Sequence, residues 1–389
     1  MPDSSRRDFL LTGLAVPAAA SAARTPAGGQ EQTAPPRPPA AAPGLSYRTL
    51  GKTGLKVTSV GFGCMITSDA SVIERAADIG ITYFDTARVY QSGNNERMVG
   101  AALKGKRQNI ALSSKTPATN KEGALSDLDT SLRELGTDHL DIWYLHAKTK
   151  PADVTDELIE AQQAAKKAGK IRFAGVSTHS GQAELLPALT ANPHIDVILT
   201  AYNFSMGQTL DPLIAAARAA GKGVVAMKVM AGGFRNTKPG DKLYNTFKRD
   251  GALLAALRWV LKSPDIGTTI PSMTDMDQLE ENLHAMTGTF TKSDEILLAR
   301  QLEYIAPLYC RMCGQCDGSC AKGLPVADLL RYLTYADGYG QFSLGRERFL
   351  ELPAQVAQVR CDSCSACTVS CPHGVRVSER LRRAQELFA

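Results

Sequence analysis

Eight short runs rich in β-branched and apolar residues recur along the middle of the chain, at 57–64, 82–86, 110–115, 140–146, 171–177, 197–203, 223–229 and 267–271. Between them lie longer stretches in which apolar residues return at i, i+3 and i+4, as in 158–168 and 210–220. That spacing draws one apolar stripe along a helix. Eight strand–helix units within roughly 230 residues predict an α/β fold of the closed (β/α)8 barrel kind. An open dinucleotide-binding sheet would need Gly-x-Gly-x-x-Gly after a strand, and Gly61-Phe62-Gly63 lacks the third glycine.

Barrels of this kind carry their chemistry at the C-terminal ends of the strands. Those ends supply Asp85-Thr86-Ala87 with Tyr90 just beyond, then Lys115, then His146. The four residue types make chemical sense together. A phenol has an ordinary pKa of about 10, too high for a good acid at neutral pH. A lysine ammonium beside it favours the phenolate, so the sequence predicts a lowered pKa for Tyr90. A carboxylate holds the lysine in place, and a histidine can orient a carbonyl oxygen beside the phenol.

Asp85-Thr86-Ala87-x-x-Tyr90, Ser113-Ser114-Lys115 and Tyr144-Leu145-His146 resemble the catalytic tetrad of the aldo-keto reductases, and the opening 50–57 with Gly61-Phe62-Gly63 is similar to that family's start. The resemblance spans about residues 46–286. It implies hydride exchange between a nicotinamide cofactor, NADP or NAD, and a small carbonyl or alcohol substrate. In that scheme Tyr90 is the general acid–base, Lys115 and Asp85 tune it, and His146 orients the substrate. The resemblance also implies a cofactor set: Ser177 and Thr178 at the nicotinamide carboxamide, Thr200 where Gln is common, Met227 and Lys228 where a ring-stacking tyrosine is common, and Gly232 and Gly233 near the pyrophosphate. Ser272, Met273, Gln278, Glu281 and Asn282 resemble the adenosine-phosphate segment. Ser272 and Gln278 replace the basic residues that clamp a 2′-phosphate, which weakens the case for NADP over NAD.

Eight of the nine cysteines fall in the last 80 residues. They form two runs of Cys-x2-Cys-x2-Cys-x3-Cys, at Cys310, Cys313, Cys316 and Cys320 and again 51 positions later at Cys361, Cys364, Cys367 and Cys371. The second run ends in Pro372, as bacterial ferredoxin runs do. Gly323-Leu324-x-Val326 after the first mirrors Gly374-Val375-x-Val377 after the second, so the region is an internal repeat. In two-cluster ferredoxins the fourth cysteine of each run ligates the other cluster. The sequence therefore predicts two 4Fe–4S clusters, one on Cys310, Cys313, Cys316 and Cys371, the other on Cys361, Cys364, Cys367 and Cys320. Two zinc sites or four disulfides are the alternatives. Zinc usually takes cysteine pairs rather than triplets, and thiols spaced this closely leave few relaxed disulfide partners. Cys64, the ninth, reads as a buried small hydrophobe.

Helical spacers are predicted at 329–335 and 340–349, and an amphipathic helix at 293–308 joins barrel to module. Tyr304, Tyr309, Tyr332 and Tyr335 read as packing residues. The polar loop 234–249 follows the seventh strand and hints at a polar substrate such as a sugar.

At the N-terminus, Arg6-Arg7 precedes a short apolar stretch and Ala20-Ser21-Ala22, a small-residue cleavage pattern. This resembles a twin-arginine signal peptide and implies export of a folded protein to a bacterial periplasm. The expected organisation is a signal peptide over 1–23, a Pro/Ala-rich linker over 24–44, the barrel over 45–292 and a two-cluster ferredoxin-like module over 293–389. Lys and Arg number 44 against 39 Asp and Glu, a net charge of +5. So mild an excess does not point to nucleic acid as a partner. No apolar run reaches the roughly 18 residues of a membrane span. Three functions fit: a reductase whose clusters exchange electrons with a redox partner protein, an ordinary carbonyl reductase with structural clusters, or an electron carrier on an idle barrel.

Overall fold

The computed structural model describes residues 44–232 and 251–389. The signal peptide, all but the last residue of the linker, Gly233 and the loop 234–249 lie outside the described residues.

The chain opens with an antiparallel hairpin of β1 (Tyr47–Thr49) and β2 (Lys56–Thr58). Eight parallel strands follow: β3 (Phe62–Gly63), β4 (Tyr83–Asp85), β5 (Ala111–Thr116), β6 (Leu140–Leu145), β7 (Ile171–Thr178), β8 (Val197–Ala201), β9 (Gly223–Met227) and β10 (Thr268–Thr269). Each pairs with the next in sequence, and bridges from Val60 to Thr269 and from Gly63 to Ser272 bring the last strand back to the first. The result is a nearly closed (β/α)8 barrel.

The predicted first strand, 57–64, is really two elements. Its first half belongs to the hairpin and only Phe62–Gly63 enters the barrel. Gly61 lies at the changeover. A Cβ there would stand 2.9 Å from the Tyr83 carbonyl oxygen and 3.1 Å from that of Thr269. Only a bare backbone fits between those neighbouring segments.

The hairpin plugs the barrel floor. Leu50 is fully buried, and Gly223 and Gly267 leave room for its side chain. Above it, Val57, Tyr83, Ile142, Tyr144, Leu199 and Val225 fill the interior, as side chains from alternate strands do in such barrels. Tyr83 and Tyr144 share a hydrogen bond of 2.8 Å between their phenols, so neither buried hydroxyl is left unpaired. The outer layer consists of α1 (Ala70–Asp78), α2 (Asn94–Ala102), α3 (Lys121–Leu135), α4 (Asp156–Lys167), α5 (Gln182–Ala191), α6 (Gly207–Ala219), α7 (Ala252–Leu261) and α8 (Met276–Thr287). Several begin on a side-chain cap, such as Asn120 accepting from the Gly123 amide.

Helix α9 (Lys292–Ile305) leads out of the barrel, opened by a capping box of Thr291 and Asp294. The remaining chain forms the module: α10 (Val326–Asp337), α11 (Phe342–Leu350), the short α12 (Ala354–Ala357) and α13 (Val377–Phe388). Its own core joins Leu329, Leu333, Phe349, Leu381, Ala384 and Phe388. Asp337 on α10 accepts from Arg380 and Arg383 on α13, at 2.9 and 2.7 Å. The sequence repeat is a structural one. Gly323 and Gly374 both take positive φ, bond back to the carbonyls of Cys320 and Cys371, and precede the repeat-related helices α10 and α13. Of the tyrosines expected to pack, Tyr304 is 42% exposed and does not; its position on α9 faces water. Among the described residues no helix is long and apolar enough to cross a membrane.

Candidate active site and cysteine module

Asp85 ends β4, Lys115 lies near the end of β5 and His146 follows β6. Parallel pairing brings three neighbouring strand ends together. Tyr90 arrives from the turn after β4. There the Arg88 amide bonds to the Lys115 carbonyl and the Tyr90 amide to that of Ala87. Gln91, at positive φ, donates to the Thr67 carbonyl at 2.7 Å and fixes the far side of the turn.

Lys115 Nζ donates to Asp85 Oδ2 at 2.5 Å, to the Thr86 carbonyl at 2.7 Å and to Tyr90 Oη at 3.3 Å. Ser113 Oγ donates to the other Asp85 oxygen at 2.7 Å. Every donor of the ammonium is used, and Asp85 and Lys115 are each 1% exposed. The Tyr90 and His146 rings stand edge to face, 5.9 Å between centroids. The four residues predicted to converge do so.

Their electrostatics differ from expectation in one respect. Burial dominates at Tyr90 and pushes the phenol up to about 12, with Lys115 opposing but not reversing it. Asp85, itself anionic, cancels much of what the ammonium could do. Burial would also lower Lys115, but Asp85 and Tyr90 hold its pKa above the ordinary lysine value. His146 is driven well below the usual imidazole range by burial and then by Lys115, Arg348 and Arg331. The site therefore presents a neutral phenol, a neutral imidazole and a charged lysine at neutral pH.

Two cavities meet at Tyr90. One, of about 360 Å³, is lined by Asp85, Tyr90, Met227, Lys228, Gly232, Ser272 and Gln278. Five of the predicted cofactor residues thus share a wall with the tetrad. Ser177, Thr178 and Thr200 are fully buried and their hydroxyls are committed nearby: Ser177 accepts from the Ala147 amide at 2.9 Å, Thr178 donates to the Ser180 carbonyl at 2.6 Å, and Thr200 bends back to Ala201. Met273 is buried in the barrel core, while Glu281 and Asn282 are on α8 and are not among the residues that line this cavity. Gln278 is engaged with Thr274, donating to its hydroxyl at 2.7 Å.

The second cavity, of about 520 Å³, lies on the His146 side. Its opposite wall comes from the C-terminal module: Arg331, Tyr332 and Tyr335 of α10, Gln341, and Leu344 and Arg348 of α11. His179, from the loop after β7, lines both cavities. None of these was singled out in the sequence as a site residue. His179 stands one position past Thr178, which was a usable signal. The α10 and α11 residues gave none, because nothing local tells which helix face meets a barrel some two hundred residues earlier.

The two cysteine quartets assemble in the crossed pattern. Cys320, Cys361, Cys364 and Cys367 line a cavity of about 210 Å³. Cys310 lies within electrostatic reach of Cys316, Cys313 and Cys371. None of the eight is in a disulfide. Thr368 ties the runs together, accepting from the Ala321 amide at 3.1 Å and donating to the Ser319 carbonyl at 2.8 Å. Burial pushes the Cys310 thiol up to about 12, and raises Cys316 and Cys361 as well. A cationic centre among these sulfurs would stabilise their thiolate forms against that burial. The Met312 amide points at Cys310 Sγ at 3.3 Å, the backbone turning at positive φ to allow it. These features fit iron–sulfur ligation. Among the described residues no group of three or more His, Cys, Asp or Glu is arranged to hold a single metal ion. Cys64 is fully buried, as expected.

Comparison with known proteins agrees with both halves. The profile described as "Aldo/keto reductase family" matches residues 67–297, and that of a "4Fe-4S dicluster domain" matches 309–376. An uncharacterised oxidoreductase of Bacillus subtilis, YqkF, is 26% identical over 65% of this chain and 94% of its own length. The L-galactose dehydrogenase of Arabidopsis thaliana is 27% identical over 62% of this chain and 88% of its own. Among solved structures, the holo form of an aldo-keto reductase from Bacillus halodurans superposes with a TM-score of 0.56 at 27% identity, covering 65% of this chain and 96% of that one. An aldo/keto reductase from Klebsiella pneumoniae in complex with NADP and acetate shares the fold with a TM-score of 0.55 at 22% identity, covering 65% and 94%. The chain is an oxidoreductase of the aldo/keto reductase family, carrying a 4Fe–4S ferredoxin-type module at its C-terminus.

Proposed function

We propose that the barrel exchanges hydride between a nicotinamide cofactor and a carbonyl or alcohol substrate, and that two 4Fe–4S clusters link this site to a one-electron redox partner. The observation that carries the first half is the hydrogen-bonded Asp85–Lys115–Tyr90 chain at the meeting point of two cavities. Nicotinamide, when bound, supplies or accepts the hydride. Met227, Lys228, Gly232, Ser272 and Gln278 would hold it, in the cavity they share with Tyr90. NADP on the same fold in the Klebsiella enzyme supports a dinucleotide here. The lack of a basic side chain at 272 and 278 favours NAD.

Tyr90 would give its proton to the oxygen of a carbonyl being reduced, and take it back in the reverse direction. Lys115 stabilises the phenolate left behind, and Asp85 fixes the ammonium. His146, neutral, holds the same oxygen as a hydrogen-bond donor.

Cys310, Cys313, Cys316 and Cys371 would hold one cluster and Cys361, Cys364, Cys367 and Cys320 the other. Cys364 and Cys367 are exposed whereas Cys310 and Cys316 are buried. The second cluster would therefore face the partner and the first the barrel. Export by the twin-arginine route belongs to the same reading, since it delivers proteins whose clusters are already inserted.

A second reading keeps the enzyme and makes the clusters structural. It is favoured by the module's own contribution to the active-site wall, through Tyr335, Gln341 and Arg348. One experiment separates the two. Anaerobically purified protein, assayed for iron, sulfide and bound dinucleotide, is titrated with NADH and NADPH while the cluster absorbance is followed. Bleaching on addition of either nucleotide supports electron exchange. Unchanged clusters in a preparation that turns over an aldehyde support the structural reading.

A further inference from the structure

The larger cavity has a charge distribution that the hydride chemistry alone does not require. The acids on its lining, Glu347 and Glu351, are both exposed at the rim. Glu351 is taken up by Arg348 at 2.7 Å, and Glu347 accepts from Ser92 at 3.3 Å. Arg331 reaches deeper. Its side chain is 18% exposed, and one nitrogen pairs at 2.7 Å with Asp328, whose side chain is 45% exposed. The Arg331 guanidinium carbon lies 5.4 Å from the centre of the Tyr332 ring, and the two side chains also share a hydrogen bond.

Two buried polar atoms on this cavity have no partner among the described residues: Arg331 Nε and His179 Nδ1. Buried donors left unpaired are rare and costly, and a cation only partly neutralised more so. The surrounding groups feel the same excess. Cations, Arg331 among them, help push His146 and His179 down. At Tyr335 burial would raise the phenol, but Lys228, Arg331 and Arg348 together bring it below its ordinary value.

We propose that this cavity takes an anionic substrate, a carbonyl or hydroxyl compound bearing a carboxylate, and that Arg331 of the cysteine module is the residue that holds the carboxylate. The planar guanidinium suits a carboxylate, and Arg331 faces the same space as Tyr90 and His146. A cavity of about 520 Å³ holds a small acid with its reacting carbon at Tyr90 and its carboxylate across the gap. The cysteine module thereby becomes part of the specificity site. This assignment names the substrate class for the hydride exchange proposed above and rests on that reading.

The test uses the cluster-loaded full chain and two kinds of measurement. In calorimetry, benzoate should bind at least about tenfold more tightly than benzamide to the wild type, and Arg331→Gln should lose that preference while Arg331→Lys keeps part of it. In turnover with NADH or NADPH, Arg331→Gln should raise KM for 4-carboxybenzaldehyde by about tenfold more than it raises KM for benzaldehyde. Equal binding of benzoate and benzamide by the wild type overturns the proposal, and does so even if Arg331→Gln fails to fold. So does an Arg331→Gln protein that retains the preference. Benzoate bound through Arg331 in a protein that reduces no aldehyde upholds the anion site and instead removes the hydride reading.

Discussion

The Lys115 ammonium stands 3.3 Å from the Tyr90 phenolic oxygen, yet the phenol is held up at about 12. Burial outweighs the single cation, because Asp85 already neutralises it. Tyr90 therefore stays protonated across the whole neutral range. The carbonyl-reducing rate should show no fall from loss of the Tyr90 proton until strongly alkaline pH. His146, depressed well below the usual imidazole range, is already neutral there and should add no limb between about pH 6 and 8. A pH–rate profile with an imidazole-like step in that window would contradict the assignment.

Asp85→Asn leaves Lys115 charged and buried without its counter-ion. Breaking a buried pair by removing one partner costs about 3–5 kcal/mol. The variant should melt several degrees lower by calorimetry. It should also lose reductase activity, since Lys115 is no longer fixed against Tyr90. A variant as stable as the wild type would show that the pair is not held as closely as 2.5 Å.

At the adenosine end, Gln278 hydrogen-bonds to Thr274 and sits three positions past the capping Asp275. An acid and an amide do not attract a 2′-phosphate. NADH should be preferred to NADPH in kcat/KM, and Gln278→Arg should move the ratio toward NADPH by about tenfold. Steady-state assays with both nucleotides decide it. A strong wild-type preference for NADPH would require another cation to hold the phosphate.

Cys320 lines the cavity of Cys361, Cys364 and Cys367 rather than grouping with its own run. Cys320→Ser should therefore damage the second cluster, and Cys371→Ser the first. Electron paramagnetic resonance of the reduced variants should show one cluster altered and the other unchanged, in opposite senses for the two. Damage confined to the run that carries the substitution would refute the crossing.

Much of this was legible in the sequence. The tetrad could be read because each member sits at a strand end, and a parallel barrel carries all such ends to one face. The crossed quartets could be read because three thiols spaced by two residues exhaust one loop's reach and force the fourth to come from elsewhere. Three features were hidden for a common reason. The acidity of Tyr90 depends on its burial and on Lys115, Asp85 and the module's Tyr335 around it. The division of 57–64 depends on Tyr83 and Thr269 crowding Gly61. Arg331 and Arg348 reach the site only once α10 and α11 dock on the barrel. Each is set by contacts between distant segments, which no local pattern encodes.

The proton held by Tyr90 is the point on which the reductase reading turns. Replacing Tyr90 by Phe removes one hydroxyl and leaves the ring to fill its place beside His146. With cluster-loaded protein and an aldehyde substrate, the steady-state rate of nicotinamide oxidation should fall by about 10²–10⁴ while iron content and melting temperature stay as in the wild type. A Tyr90→Phe protein that turns over at the wild-type rate would contradict the account at its centre.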